Sequence, residues 1–224
     1  MDYRVISIGS LSRHELWPRD RQPRTPHATT TLIRSGDRVI LVDPGLPPKV
    51  IAARLTERSG LEAKDITDVF LTNFRPAHRW GLDAFSEARW WIGQAEREAV
   101  GISLIERLRL EEEPAARAVL EQEIALLRRC EPAPDRLAER VDLFPLPGYT
   151  PGGCGLLLCH PTSTTLIAGD AVPTVEHLEQ GRILPSAFDL DQAKESFMEA
   201  VEIADLIVPG HDNLVVNPAR RGIN

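Results

Sequence analysis

Short apolar runs in this chain repeatedly stop at the same few residues. Valine-rich and leucine-rich segments end in VDPG (42–45), LTNFRPAHRWG (71–81), LPGYTPGG (146–153), AGD (168–170) and VPGH (208–211). Apolar runs this short, bounded by Gly, Pro, Asp and Asn, read as buried β-strands closed by turns. Helical patterns lie between them, so the chain is an α/β mixture.

Thr29–Arg34 and Arg38–Val42 flank Ser-Gly-Asp, a hairpin signature. Pro48–Ser59 carries apolar residues at helical spacing, with Gly60 as the stop. Ile66–Leu71 reads as a strand, His78–Glu87 as a short helix and 88–93 as another strand. Gln94–Arg129 is helical and highly charged, broken at Pro114, and Ala115–Arg129 has an amphipathic stripe. Val141–Leu143, Cys154–Cys159 and Thr164–Ala168 are further strands. Ala193–Ala204 is a helix capped by Asp189 or Asp191, and Leu206–Val208 is a last strand. The expected organisation is one domain over 1–224 with a helical insertion at about 94–140.

Charge and composition exclude several roles. A net charge of −7 without a long Lys/Arg cluster argues against nucleic acid. No apolar run is long enough to span a membrane. The start, MDYRVISIGS, lacks the basic head and apolar stretch of a secretory signal. Three cysteines, an odd number, then suggest free thiols in a reducing cytoplasm.

Taken in order, the strand-end turns resemble the metallo-β-lactamase fold superfamily. The resemblance runs from about Thr29 to Asn213 and implies a four-layer αββα sandwich. The family's second turn reads Thr-His-x-His-x-Asp-His. Here Thr72 is kept, and the four ligand positions hold Asn73, Arg75, Ala77 and His78. Tyr149 stands at the next family histidine, Asp170 at the bridging carboxylate and His211 at the last histidine. Asp43 matches a supporting residue beneath the site. The family's pair of zinc ions needs imidazole and carboxylate donors, which make water a hydroxide for attack on an ester, thioester or similar bond. Three imidazoles and one carboxylate of that set are replaced here, so the resemblance implies that the dinuclear site is lost.

Two states of the remaining site stay open. His78, Asp170 and His211 could hold one zinc or iron(II) ion. Alternatively no metal is bound, and the Arg75 guanidinium, which cannot ligate, pairs with Asp170 in its place. With an ion present, Asp170 or Asp212 would accept a proton and Arg75 or Tyr149 would stabilise an oxyanion. His177 is expected on a surface loop, and His14, His27 and His160 as exposed or capping residues. Two functions follow. One is a divergent hydrolase-like enzyme. The other is a non-catalytic member that binds a small molecule in the cleft or a protein through the insertion, with a homodimer as the expected assembly.

Overall fold

In the computed structural model, which describes residues 1–18 and 20–220, the first sheet opens with Asp2–Ser7 (β1), Thr30–Ser35 (β2) and Arg38–Val42 (β3). These strands pair antiparallel, and the β2–β3 turn is Gly36-Asp37. Gly36 sits at φ +60°, which a tight hairpin turn demands and glycine supplies without strain. Pro48–Ser59 (α1) starts with proline in its first turn and stops at Gly60, φ +73°. Asp68–Leu71 (β4) then joins β3 in parallel.

The expected helix over 78–87 is cut short. Pro76–Arg79 (α2) makes one turn, and the chain resumes only as the 3₁₀ turn Leu82–Phe85 after Gly81. Arg89–Ile92 (β5) continues the parallel series. Gln94–Leu110 (α3) and Pro114–Arg129 (α4) divide where Pro114 requires. The Glu113 carboxylate caps α4 by accepting from the backbone N–H groups of Ala115 at 3.1 Å and Ala116 at 2.6 Å.

Helix does not persist to residue 140. Glu131–Pro132 (β6) joins the first sheet beside β5, and Arg136–Ala138 (β7) opens the second sheet. Pro132 and Pro134 break the helical pattern, and sheet edges tolerate the N–H that proline lacks. The segment thus supplies one edge strand to each sheet. Val141–Pro145 (β8), Cys154–Cys159 (β9) and Thr164–Gly169 (β10) continue antiparallel. Val175–Gln180 (α5), not expected from the sequence, precedes Leu190–Ile203 (α6). Asp189 caps α6, accepting from the N–H of Asp191 and Gln192 at 3.0 Å each. Leu206–Pro209 (β11) runs parallel to β10, and Val215–Val216 (β12) closes the sheet.

The two sheets have orders β1-β2-β3-β4-β5-β6 and β12-β11-β10-β9-β8-β7. Strand periodicity sorts the side chains into layers. Ile40 and Val42 face the second sheet and meet Leu156, Ile167 and Val208. Leu41, between them, faces the helices with Ile51, Leu55, Leu120 and Leu127. On the far side, Leu166 and Ile207 pack under Phe197 and Ala200 of α6. The result is the αββα sandwich expected above. The apolar stripe of α4 is spent on this core through Leu120 and Leu127. Cys130, Cys154 and Cys159 are free thiols. Among the described residues, no helix is long and apolar enough to cross a membrane.

The layer between the sheets makes a direct prediction. Leu156→Ala, at a fully buried position, is expected to cost about 2–5 kcal/mol. Leu110→Ala, at a side chain 83% exposed, should stay within about 0.5 kcal/mol. Urea denaturation of both variants checks the difference.

Candidate functional site

Parallel neighbours end on the same edge of a sheet. β3 lies beside β4 in one sheet and β10 beside β11 in the other, and the C-terminal turns of all four converge. Gly169 and Gly210 permit the close approach. A methyl group on Gly169 would lie 2.7 Å from Thr72 Oγ1, and one on Gly210 would lie 2.8 Å from the Gly169 backbone.

Asp43 leaves β3 at φ +49°, a left-handed conformation that aspartate tolerates better than most residues. Its carboxylate is buried and accepts from the Thr72 N–H at 2.9 Å and the Thr72 hydroxyl at 2.7 Å. It also lies 3.0 Å from His78 Nδ1. The Thr72 proton is committed to Asp43, so Thr72 Oγ1 can only accept from His78 Nδ1, 3.1 Å away. His78 therefore carries a proton on Nδ1. His211 Nδ1 lies 2.9 Å from the carbonyl oxygen of His27, which accepts only, so His211 carries its proton there too.

Both Nε2 atoms then face one carboxylate. His78 Nε2 is 2.8 Å from Asp170 Oδ2, and His211 Nε2 is 2.9 Å from Asp170 Oδ1. Lone pair against lone pair at this range is repulsive. Asn73 Nδ2, 3.3 Å from His78 Nε2, can donate to that ring. Among the described residues His211 Nε2 has no such donor, so a second proton or a shared cation answers the repulsion there. His78, Asp170 and His211 form a candidate metal group, with one ligand atom from each within 4.8 Å of the others. The donor set fits a metal. Both imidazoles are braced at Nδ1 by an acceptor, the arrangement that orients ligating histidines. Asp170 Oδ1, although 2.9 Å from His211 Nε2, lies off the line of a hydrogen bond and keeps an unspent lone pair.

Without an ion, a proton on His78 balances the carboxylate charge. Burial works against charge on His78, but Asp170 and Asp43 outweigh it and push its pKa up to about 10. Burial likewise disfavours the charged form of Asp170, yet His78 and His211 hold it well below the usual carboxylate range. Asn73 adds a neutral donor. Its Oδ1 accepts the Arg75 N–H at 3.0 Å, which turns its NH₂ toward Asp170 Oδ2, also at 3.0 Å.

The pairing of Arg75 with Asp170, expected as the metal-free alternative, is not formed. Arg75 is exposed, and its guanidinium carbon lies 4.6 Å above the Tyr149 ring. Arg75 occupies the N-cap of α2, directed away from the floor, and the imidazoles already neutralise the carboxylate. Burial first, and Asp170 second, push the Tyr149 phenol up to about 12, with the Ser186 side chain beside its hydroxyl. Ala77 offers no side-chain donor, and its carbonyl accepts the Ala28 N–H at 2.8 Å. Asp212 is occupied as a turn carboxylate, accepting the N–H groups of Val175 at 3.2 Å and Asn213 at 2.8 Å. The cavity bounded by Thr72, Asn73, Tyr149 and Asp170 is only about 10 Å³, room for one water.

Two features escaped the sequence. Glu96, in the first turn of α3, is 1% exposed and accepts the backbone N–H groups of Phe74 and Gly152, each at 3.1 Å. It ties the β4 turn to the loop that carries Tyr149. It belongs to no motif, and its only signal is a carboxylate among other charged residues. His177 is not on a surface loop: it is fully buried in α5, and His14 is buried against it, so neither is an exposed or capping residue.

The model of the metallo-beta-lactamase superfamily matches residues 24–211. The chain belongs to this superfamily. Among solved structures, a metallo-beta-lactamase from Thermotoga maritima is 19% identical, covers 96% of this chain and 98% of its own, and has a TM-score of 0.68. AidC, a dizinc quorum-quenching lactonase in complex with its product, is 18% identical over 84% of this chain and 74% of its own, with a TM-score of 0.67. A variant of AiiA from B. thuringiensis with N-decanoyl-L-homoserine at its active site is 20% identical over 94% and 92%, with a TM-score of 0.65. These similarities are to the fold. No curated protein matches the chain.

The protonated cluster implies a pH profile for metal-stripped protein. The folded pKa of His78, about 10, exceeds its ordinary 6.5, so its contribution to stability is complete below pH 6.5 and is lost as pH rises toward 10. Asp170, held below its ordinary 3.8, contributes above that pH and loses this as pH falls further. Tm measured in chelator should therefore decline from pH 6.5 to 10, and His78→Gln should flatten that decline.

Proposed function

We propose that the chain is a divergent hydrolase-like member that has lost the dinuclear centre and retains a single zinc or iron(II) ion at His78, Asp170 and His211. The observation that carries this reading is the tautomer argument: both imidazoles are proton-locked at Nδ1 and turn bare Nε2 atoms onto one carboxylate. The outward course of Arg75 supports it, since no fixed cation competes for Asp170. A second ion finds no comparable set. The space beside Asp170 is lined by the Asn73 NH₂ group and the Tyr149 phenol, and Ala77 offers no side-chain donor.

The substrate class that suits this centre is a carbonyl ester, lactone or thioester; one structural neighbour, AidC, is a lactonase. A single ion supplies Lewis acidity and a more acidic water. The chain's own groups do the rest. Asp43 and the His27 carbonyl fix the imidazole orientations. Asp170 stays charged. Tyr149, kept protonated, donates a hydrogen bond to a developing oxyanion, and the adjacent Arg75 attracts an anionic substituent.

A second reading, a non-catalytic binding protein, is favoured by the small volume beside Asp170, about 10 Å³. Metal analysis and turnover separate the two. Tag-free protein purified without added metal should hold zinc or iron, one equivalent of which is lost in His78→Ala and in His211→Ala. Metal-free protein from such a preparation would refute the one-ion centre, and one bound ion without turnover on an ester, lactone and thioester panel would establish the second reading. For an active enzyme, Arg75→Ala should raise KM for an anionic ester by about tenfold with kcat little changed.

A further inference from the structure

A second pair of histidines lies outside this cluster. His14, in the connection between β1 and β2, is 7% exposed, and His177, on α5, is 0% exposed. Their ring centroids are 4.8 Å apart, with the planes tilted by 54°. Among the described residues, neither ring nitrogen of His14 has a hydrogen-bond partner, and neither does His177 Nε2. Buried imidazole nitrogens are seldom left so.

The tautomer of His177 follows from its neighbours. The Thr174 oxygen caps α5 by accepting the His177 N–H at 3.4 Å, and it lies 2.8 Å from His177 Nδ1, from which it can also accept while its own proton turns toward the Glu176 carboxylate. His177 Nε2 is then a bare lone pair in a buried position. It is braced at Nδ1 as a ligating imidazole would be. Burial, with His14 next, pushes the His177 pKa down to about 4, and burial also lowers that of His14. Both rings are therefore neutral donors near pH 7. The surrounding charges are Glu15, Glu176 and Asp212 against Arg21 and Arg182. Glu15 and Arg182 pair at 3.5 Å, and the remaining balance favours a cation.

Ring spacing offers an independent check. An ion about 2.1 Å from one nitrogen of each ring, at a ligand angle of 90–109°, sets the centroids about 4.6–5.3 Å apart. The observed 4.8 Å lies within that range. We propose that His14 and His177 form a second site for a divalent transition ion of the zinc, nickel or copper type, pinning the β1–β2 connection to α5. Water entering with the ion would complete its shell. This site does not rest on the reading of the first cluster.

The test is zinc titration of metal-stripped, tag-free full-length protein by equilibrium dialysis. His14→Phe, which fills the space on a loop, and His177→Ala should each lower bound zinc by one equivalent relative to wild type. His211→Ala should leave this equivalent in place, so failure of the first cluster is read separately. Zinc should also slow tryptic cleavage at Arg13 and Arg21 by about tenfold in wild type and not in His14→Phe. Unchanged stoichiometry in folded His14→Phe would overturn the site, whether or not His177→Ala folds. A cleavage rate indifferent to zinc would overturn the pinning.

Discussion

Two carboxylates and two imidazoles, brought from four turns, meet in a buried cluster with room for little water beside it. Burying a lone carboxylate is prohibitive unless a charge or several donors meet it. Asp43 holds Thr72 and His78, His78 and His211 hold Asp170, and Asn73 completes the shell. Each member is tolerable only because its neighbours are present. The turns after β3, β4, β10 and β11 are fixed in mutual register by this chain of contacts. The hydrophobic layers bring the strands together, and the polar cluster decides how their ends face one another.

Much of the fold was legible because local chemistry and tertiary packing agree. Gly36 and Gly60 mark a hairpin and a helix end that need positive φ, and Pro114 marks a helix start. Legibility failed where the signal was short or nonlocal. α5 has six residues and few apolar positions, so periodicity is weak, and its marker is the cap at Thr174. β6, β7 and β12 are edge strands of two or three residues, defined by partners far along the chain.

In the site, His78, Asp170, His211 and Asp43 stand together as the family pattern implies. The motif comparison put Arg75 at a ligand position, but its side-chain direction depends on Tyr149, which comes from another loop. Formal charge matched Arg75 to Asp170. Distance gave that role to the histidines, which start closer and are already buried. The same nonlocality hid the contact of His14 with His177, two residues 163 positions apart (177 − 14) in the sequence.

Glu96 gives the helical segment a meaning that its surface does not advertise. One carboxylate grips two backbone amides, at Phe74 and at Gly152, from a helix that contributes no side chain to the His78, Asp170 and His211 cluster. The loops bearing the altered ligand positions are moored by a residue that no ligand exchange disturbs. A lineage can therefore replace donors one at a time on these loops while their backbone paths persist. That decoupling lets the side chains on these loops vary while the frame that holds them stays intact.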